Sequence, residues 1–232
     1  MNNNKPSIVL VHGAFADGSS WAHVIPLLQK EGYNVTAVQN AMVTFEDDIA
    51  TTKRVIAAQN GPVVLVGHSY GGAVITTAAM GSPNVKALVY ITAFGPDSGE
   101  GLAPMFEKYP AKITSSIVPD KAGFLYLDRS KFAETFAADV SEPERSVMAA
   151  VQRPIAGEIF GNQRFSTPAW KTIPSWYLVS TQDQSINPEL QRMYAKRMNA
   201  TTAEVSASHV PMISRPDDVA KLIKQAAEKC ML

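Results

Sequence analysis

Gly67-His68-Ser69-Tyr70-Gly71-Gly72 follows the apolar run Pro62–Val66 and precedes Ala73-Val74-Ile75. A serine flanked two residues away by glycines, after a strand and before a helix, is the arrangement that lifts a hydroxyl above a strand end. The turn forces the serine into a strained backbone conformation, and side chains two residues away would clash. The pattern alone arises by chance in roughly one chain of this length in a dozen. Its weight comes from the strand before it, the helix after it and the extra Gly72. The chemistry implied is nucleophilic attack by Ser69, with the Tyr70 N–H left free to receive an oxyanion.

Such a serine needs a base, and the chain has four histidines. His68 lies inside the turn, with its side chain directed away from that of Ser69. His23 falls in the helical stretch Trp21–Lys30, where a surface or core-edge role is expected. His12 ends the first apolar run and braces its loop better than it could take a proton from Ser69. His209, in Ser206-Ala-Ser-His209-Val-Pro, remains as the base. An acid must hydrogen-bond the far nitrogen of that histidine, and where a serine is presented in this way the chain order is Ser, then Asp or Glu, then His. Asp183, after the run Trp176–Val179, meets the requirement. Asp97, in Gly95-Pro-Asp97-Ser, is the second candidate, though it reads more simply as a turn or helix cap. In His12-Gly13-Ala14-Phe15 a second oxyanion donor is available from Ala14 N–H, with Phe15 N–H as the alternative.

These residues require a scaffold that brings four loops to one edge. Apolar runs rich in β-branched residues predict buried parallel strands at Ile8–Val11, Val35–Val38, Val63–Val66 and Ala87–Thr92. Between them Trp21–Lys30, Glu46–Ala58 and Ala73–Met80 have helical spacing, with Asp47 and Asp48 suited to a helix N-terminus. The alternation resumes with Ser175–Ser180, Pro188–Met198, Thr202–Ser206 and Arg215–Lys229. The class is α/β, a mostly parallel sheet with helices on both faces. All strands of a parallel sheet end on the same side, so Ser69, Asp183, His209 and the His12–Phe15 loop can meet there.

Residues 95–170 break the rhythm. They hold about half of the aromatic side chains and offer helical pieces at Lys131–Asp139 and Pro143–Gln152. We expect an inserted helical cap over a core formed by 1–94 and 171–232. Phe15, Phe94, Phe106, Phe124, Tyr126 and Phe160 are the aromatic residues expected to line a substrate pocket.

Composition excludes several alternatives. Lys+Arg and Asp+Glu both total 21 in 232 residues, and the formal net charge is zero. Nothing is built to neutralise a nucleic-acid backbone or an anionic bilayer, and an uncharged substrate is weakly favoured. Cys230 is the one cysteine, so neither an internal disulfide nor a thiolate metal cluster is expected. No apolar run approaches the roughly 20 residues of a membrane span, and a cytoplasmic protein is the expectation. No metal and no cofactor are called for. The oligomeric state is open, a homodimer included.

The motifs together resemble the plant methylesterase and hydroxynitrile-lyase branch of the α/β-hydrolases and their small bacterial esterase relatives. Val9-Leu-Val-His-Gly-Ala14 with Trp21, Gly32-Tyr-Asn-Val-Thr-Ala37, Val66-Gly-His-Ser-Tyr-Gly-Gly72 and Val179-Ser-Thr-Gln-Asp183 with Pro188-Glu-Leu-Gln191 are similar to that branch, as is Arg153-Pro154 in the cap. The resemblance covers nearly the whole chain. It implies the α/β-hydrolase fold, no cofactor, and a small cap closing a mostly apolar pocket. It also bears on the reaction. Lyases of the group carry a lysine after the catalytic histidine and a threonine in place of the glycine of His-Gly; here the residues are Val210 and Gly13. Hydrolysis of a small, uncharged, partly apolar ester is therefore favoured over a cyanide-releasing lyase or other C–C-cleaving enzyme on the same triad; a ligand-binding homologue that kept the triad without turnover is the second alternative. Ser69 also departs from the carboxylate nucleophile of the haloalkane-dehalogenase relatives.

Overall fold

The computed structural model describes residues 5–161 and 163–231. In chain order its first half contains β1 (Ser7–Val11), α1 (Val24–Lys30), β2 (Val35–Ala37), α2 (Phe45–Ala57), β3 (Val63–His68), α3 (Tyr70–Ala78) and β4 (Val85–Ile91). The segment after β4 holds α4 (Ala103–Lys108), β5 (Ile117–Pro119), β6 (Phe124–Leu127), α5 (Arg129–Thr135), α6 (Glu142–Val151), β7 (Ile155–Ala156) and α7 (Gly157–Gly161). The chain then returns to β8 (Ser175–Ser180), α8 (Pro188–Arg197), β9 (Thr201–Val205), α9 (Pro211–Ser214) and α10 (Pro216–Lys229).

The main sheet has the order β2-β1-β3-β4-β8-β9, with every neighbouring pair parallel. Every residue of β1 and β3 is buried, as expected for central strands covered on both faces. At the sheet edge β9 exposes all but Val205. α1 packs on α10, and α2 on α3. Right-handed crossovers put these two pairs on opposite faces, because the strand order reverses direction after β2. α10 buries Val219, Ala220, Leu222, Ile223, Ala226 and Ala227, a stripe at helical spacing. α2 starts where Thr44 caps the Asp47 N–H at 3.1 Å.

Several predicted elements shift, among them the helix expected at Lys131–Asp139, which is found at Arg129–Thr135, and the strand expected at Ala87–Thr92, which is Val85–Ile91. The stretch Trp21–Lys30 divides into a 3-10 turn at Gly18–Trp21 and α1. The helix expected at Ala73 begins at Tyr70, directly after the serine. The inserted segment, expected to be helical, also contains a three-stranded antiparallel sheet in the order β5-β6-β7. Its strands have three, four and two residues, too short to show the alternation by which strands are recognised. The β5–β6 hairpin is closed by the Asp120 carboxylate, which accepts from Ala122 N–H and Phe124 N–H. Beside it the Gln152 side chain pairs with both backbone groups of Leu127.

Candidate active site

Register fixes the site first. Gly67 of β3 lies between Val11 of β1 and Tyr90 of β4, so the loops leaving β1, β3 and β4 emerge side by side. Ser69 caps α3 with φ 52° and ψ −122°, the left-handed backbone that turns a strand abruptly into a helix. Gly71 permits this: a Cβ there would sit 2.5 Å from Val11 O and 2.7 Å from His12 O. Gly13 brings the β1 loop equally close, since its Cβ would lie 2.7 Å from Ser69 Cβ and 2.8 Å from His68 Nδ1.

The loop after β9 brings His209 to this point. Its Nε2 lies 2.9 Å from Ser69 Oγ and its Nδ1 lies 2.8 Å from Asp183 Oδ2. All three residues are buried. Asp183, on the loop after β8, accepts two further bonds: Ser185 N–H on Oδ1 at 2.6 Å and Gln191 Nε2–H on Oδ2 at 2.8 Å. The carboxylate therefore faces only donors, which fixes the proton of His209 on Nδ1 and leaves Nε2 bare toward Ser69.

The other histidines have separate duties. His68 Nε2–H donates to His209 O at 2.8 Å, so the residue beside the serine holds the backbone of His209. Burial, reinforced by the neighbouring His209, keeps its imidazole well below the ordinary range and hence neutral. His12 braces its loop: Nδ1–H reaches Gly13 O at 2.9 Å and Nε2 accepts Asn40 N–H at 3.0 Å. Burial lowers its pKa too. His23 is half exposed on Glu144 at 2.6 Å. Asp97 lies away from the histidine, paired with Lys171 at 2.5 Å and accepting from Ser98 N–H.

Among the described residues, the N–H groups of Ala14, Phe15 and Tyr70 donate to no protein acceptor. Phe15 has φ 62°, a second strained residue at the same edge. Sequence reasoning placed Asp48 at a helix N-terminus for its charge. The structure buries it, and its carboxylate accepts Tyr70 Oη–H at 2.8 Å and Met42 N–H at 3.0 Å. Burial raises its pKa.

Ser69 and His209 open onto a cavity of about 20 Å³. Phe15, Phe94, Phe106 and Phe160 line it, with Ala14. Phe124 and Tyr126 are not among its lining residues; they sit in β6 of the cap sheet. Phe136, Ile113, Ile117 and Ile186, none of them singled out from sequence, complete the apolar wall. Phe136 meets the His209 ring with centroids 5.1 Å apart at 62°. Asp139 accepts both Ser208 N–H and Ser208 Oγ–H, tying the histidine loop to the cap. Gln191, which the resemblance includes, takes no role from sequence, because a glutamine in a helix carries no chemical signal of its own. Among the described residues no group of three or more His, Cys, Asp or Glu side chains is placed to hold a metal, and no helix is long and apolar enough to cross a membrane.

The chain matches the alpha/beta hydrolase family over residues 8–222. It is 26% identical to methylesterase 7 of Arabidopsis thaliana, covering 98% of each chain. It is also 26% identical to polyneuridine aldehyde esterase of Rauvolfia serpentina, covering 93% of each. The crystal structure of a pyrethroid hydrolase from Sphingobium faniae JZ-2 superposes with a TM-score of 0.80 at 25% identity, covering 96% of this chain and 97% of that one. The chain belongs to the alpha/beta hydrolase family, in its methylesterase-like branch, and is a carboxylesterase-type hydrolase.

Proposed function

We propose that the protein hydrolyses a small, uncharged, partly apolar carboxylic ester through Ser69, His209 and Asp183. The observation that carries this reading is the continuous hydrogen-bonded line from Ser69 Oγ through both nitrogens of His209 to Asp183 Oδ2, ending in an apolar cavity. His209 Nε2 takes the hydroxyl proton as Ser69 Oγ attacks the ester carbonyl carbon. The tetrahedral oxyanion is held by the N–H groups of Ala14 and Tyr70. On collapse, the alkoxide leaves with the proton on His209 Nε2, giving an alcohol and an acyl-Ser69 ester. Water, deprotonated by the same nitrogen, releases the acid and restores the serine. Asp183 keeps the imidazole oriented and stabilises its charged form.

Substrate character is supported by the zero net charge and by the phenylalanine and isoleucine walls. The relatives' names, methylesterase and pyrethroid hydrolase, support an ester of a carboxylic acid. Val210, directly after the histidine, is buried and apolar, and offers no cation to a departing cyanide. Hydrolysis of p-nitrophenyl acetate and butyrate by the wild type, Ser69→Ala and His209→Ala tests the proposal. Turnover lost in both variants is expected. Turnover that survives Ser69→Ala would show that the nucleophile lies elsewhere.

A further inference from the structure

Two voids meet at one aromatic pair. The cavity over Ser69, at about 20 Å³, has room for little more than one water, whereas pockets that bury a ligand run to roughly 300 Å³ and above. A second void of about 160 Å³ lies outside it, between the loop 15–23 and α6. Phe15 and Phe136 line both voids. Their rings meet edge to face, 6.4 Å between centroids and 82° between planes. The wall between the reacting atoms and the outer groove is thus these two rings. Phe136 sits one residue beyond α5, outside the regular helix. On the cap side the groove is bounded by Val147 and Val151, which are 61% and 58% exposed. These aliphatic side chains, one helical turn apart, face the same groove, and across it His23 and Glu144 join the loop to α6 at 2.6 Å.

We propose that this outer groove is a second substrate subsite, which holds an extended apolar alcohol arm of the ester, with Phe15 and Phe136 as the gate through which the arm passes. The inference rests on the hydrolytic reading above. It assigns the arm through His209: the leaving alkoxide must be protonated by His209 Nε2, so the alcohol oxygen lies on the histidine side. Of the two rings packed on that histidine, His68 and Phe136, only Phe136 borders the groove. The acyl part is left with the smaller cavity under Phe94, Phe106 and Phe160. A substrate that fits both is the ester of a small acid with a long or bulky apolar alcohol.

The test compares ethyl acetate with octyl acetate, which share their acid and differ only in the arm, by acid release in a pH-stat. The wild type should favour octyl acetate in kcat/KM. In Val147→Glu/Val151→Glu, which puts two charges where the arm lies, the octyl-to-ethyl ratio should fall about tenfold or more. Val151→Trp, which fills the groove without charge, should lower the same ratio. Calorimetric titration with 1-octanol reads the groove without turnover: it should bind the wild type and Ser69→Ala alike, and the double glutamate variant more weakly. An octyl-to-ethyl ratio that does not change in either variant, or a wild type without preference for the octyl ester, would overturn the subsite. A wild type that hydrolyses neither ester would refute the hydrolytic reading instead, and octanol binding alone would then decide the groove: equal binding to wild type and double glutamate variant would refute it.

Discussion

Replacing Asp183 by asparagine tests the site at the point where its geometry leaves least freedom. The carboxylate receives Ser185 N–H at 2.6 Å on Oδ1, and Gln191 Nε2–H and His209 Nδ1–H at 2.8 Å each on Oδ2. An asparagine must turn its NH2 toward one of these positions. Directed at Ser185, it sets two donors against each other inside a buried site. Directed the other way, it meets Gln191, whose own orientation is fixed by Ser180 N–H on Oε1 at 3.0 Å and by Ile186 O at 2.7 Å. That second orientation also makes His209 Nδ1 an acceptor, so the imidazole proton moves to Nε2 and points at Ser69. One unmatched buried donor costs about 1–3 kcal/mol of stability. Loss of the charge and of the correct tautomer costs far more in rate: turnover should fall on the order of 10⁴-fold, about 5 kcal/mol in the barrier. The assay is p-nitrophenyl acetate hydrolysis alongside thermal unfolding, which should show a folded protein with a modestly lower melting temperature. Asp97→Asn should leave turnover near wild type, since that carboxylate is engaged by Lys171 and Ser98. A folded Asp183→Asn within tenfold of wild type would refute the assignment of the acid.

Gln191→Leu removes the acceptor for Ser180 N–H and one of the donors to Asp183; stability should fall by about 1–3 kcal/mol. Its kcat should drop, less than for Asp183→Asn, with KM little changed, as steady-state kinetics would show. Gly71→Ala places a Cβ 2.5 Å from Val11 O; the backbone of β1 must move, costing about 1–3 kcal/mol, and the oxyanion donors move with it, so kcat on p-nitrophenyl acetate should fall. Stability should also decline as the pH drops below about 6.5, the ordinary histidine value. Burial depresses the folded-state pKa of both His12 and His68, so in that range the unfolded chain binds protons that the native one refuses. Each group contributes up to about 1.4 kcal/mol per pH unit. Asp48, raised by burial, acts in the opposite direction, but only within the carboxylate range. Thermal unfolding between pH 7.5 and 5.5 measures the effect, and a flat melting temperature would contradict it.

Much of this arrangement can be read along the chain because parallel strands buried on both faces leave continuous apolar runs, and because a strand-to-helix turn around serine demands glycines. Ser69 and Asp183 stand just after such runs, and His209 follows the exposed edge strand β9, so their convergence follows from the parallel topology. The cap obeys different rules. Its strands have four residues at most, too few to repeat the two-residue period by which strands are recognised, one of them ends in Pro119, and its sheet is completed by a side chain, Gln152. The aromatic content of the segment therefore announces a pocket without saying which rings line it. Phe106 and Phe160 face the cavity, Phe124 and Tyr126 belong to β6, and Phe136 reaches His209 from just past a helix. Asp48 misleads for a related reason. An acidic residue in a first helical turn satisfies the macrodipole, and nothing local reveals that it also meets Tyr70 across 22 residues.

This division has a mechanical meaning. The groups proposed to move protons are set by features that leave few alternatives: register between three central strands, glycines packed on backbone, and a carboxylate surrounded by donors. The cap is joined to that base by separate polar ties, among them Asp139 to Ser208, Ser185 Oγ–H to Thr135 O at 2.6 Å, Ile113 N–H to Gln184 O at 3.0 Å, Ala156 N–H to Met42 O at 2.9 Å, and, on the α6 side, His23 to Glu144 at the surface. Surface pairs of the last kind contribute little, typically below 1 kcal/mol, so the α6 side of the cap costs little to displace. A cavity of about 20 Å³ cannot take an ester without such displacement. The proposed chemistry is therefore held by the sheet edge, while the choice of ester is left to the segment that closes over it.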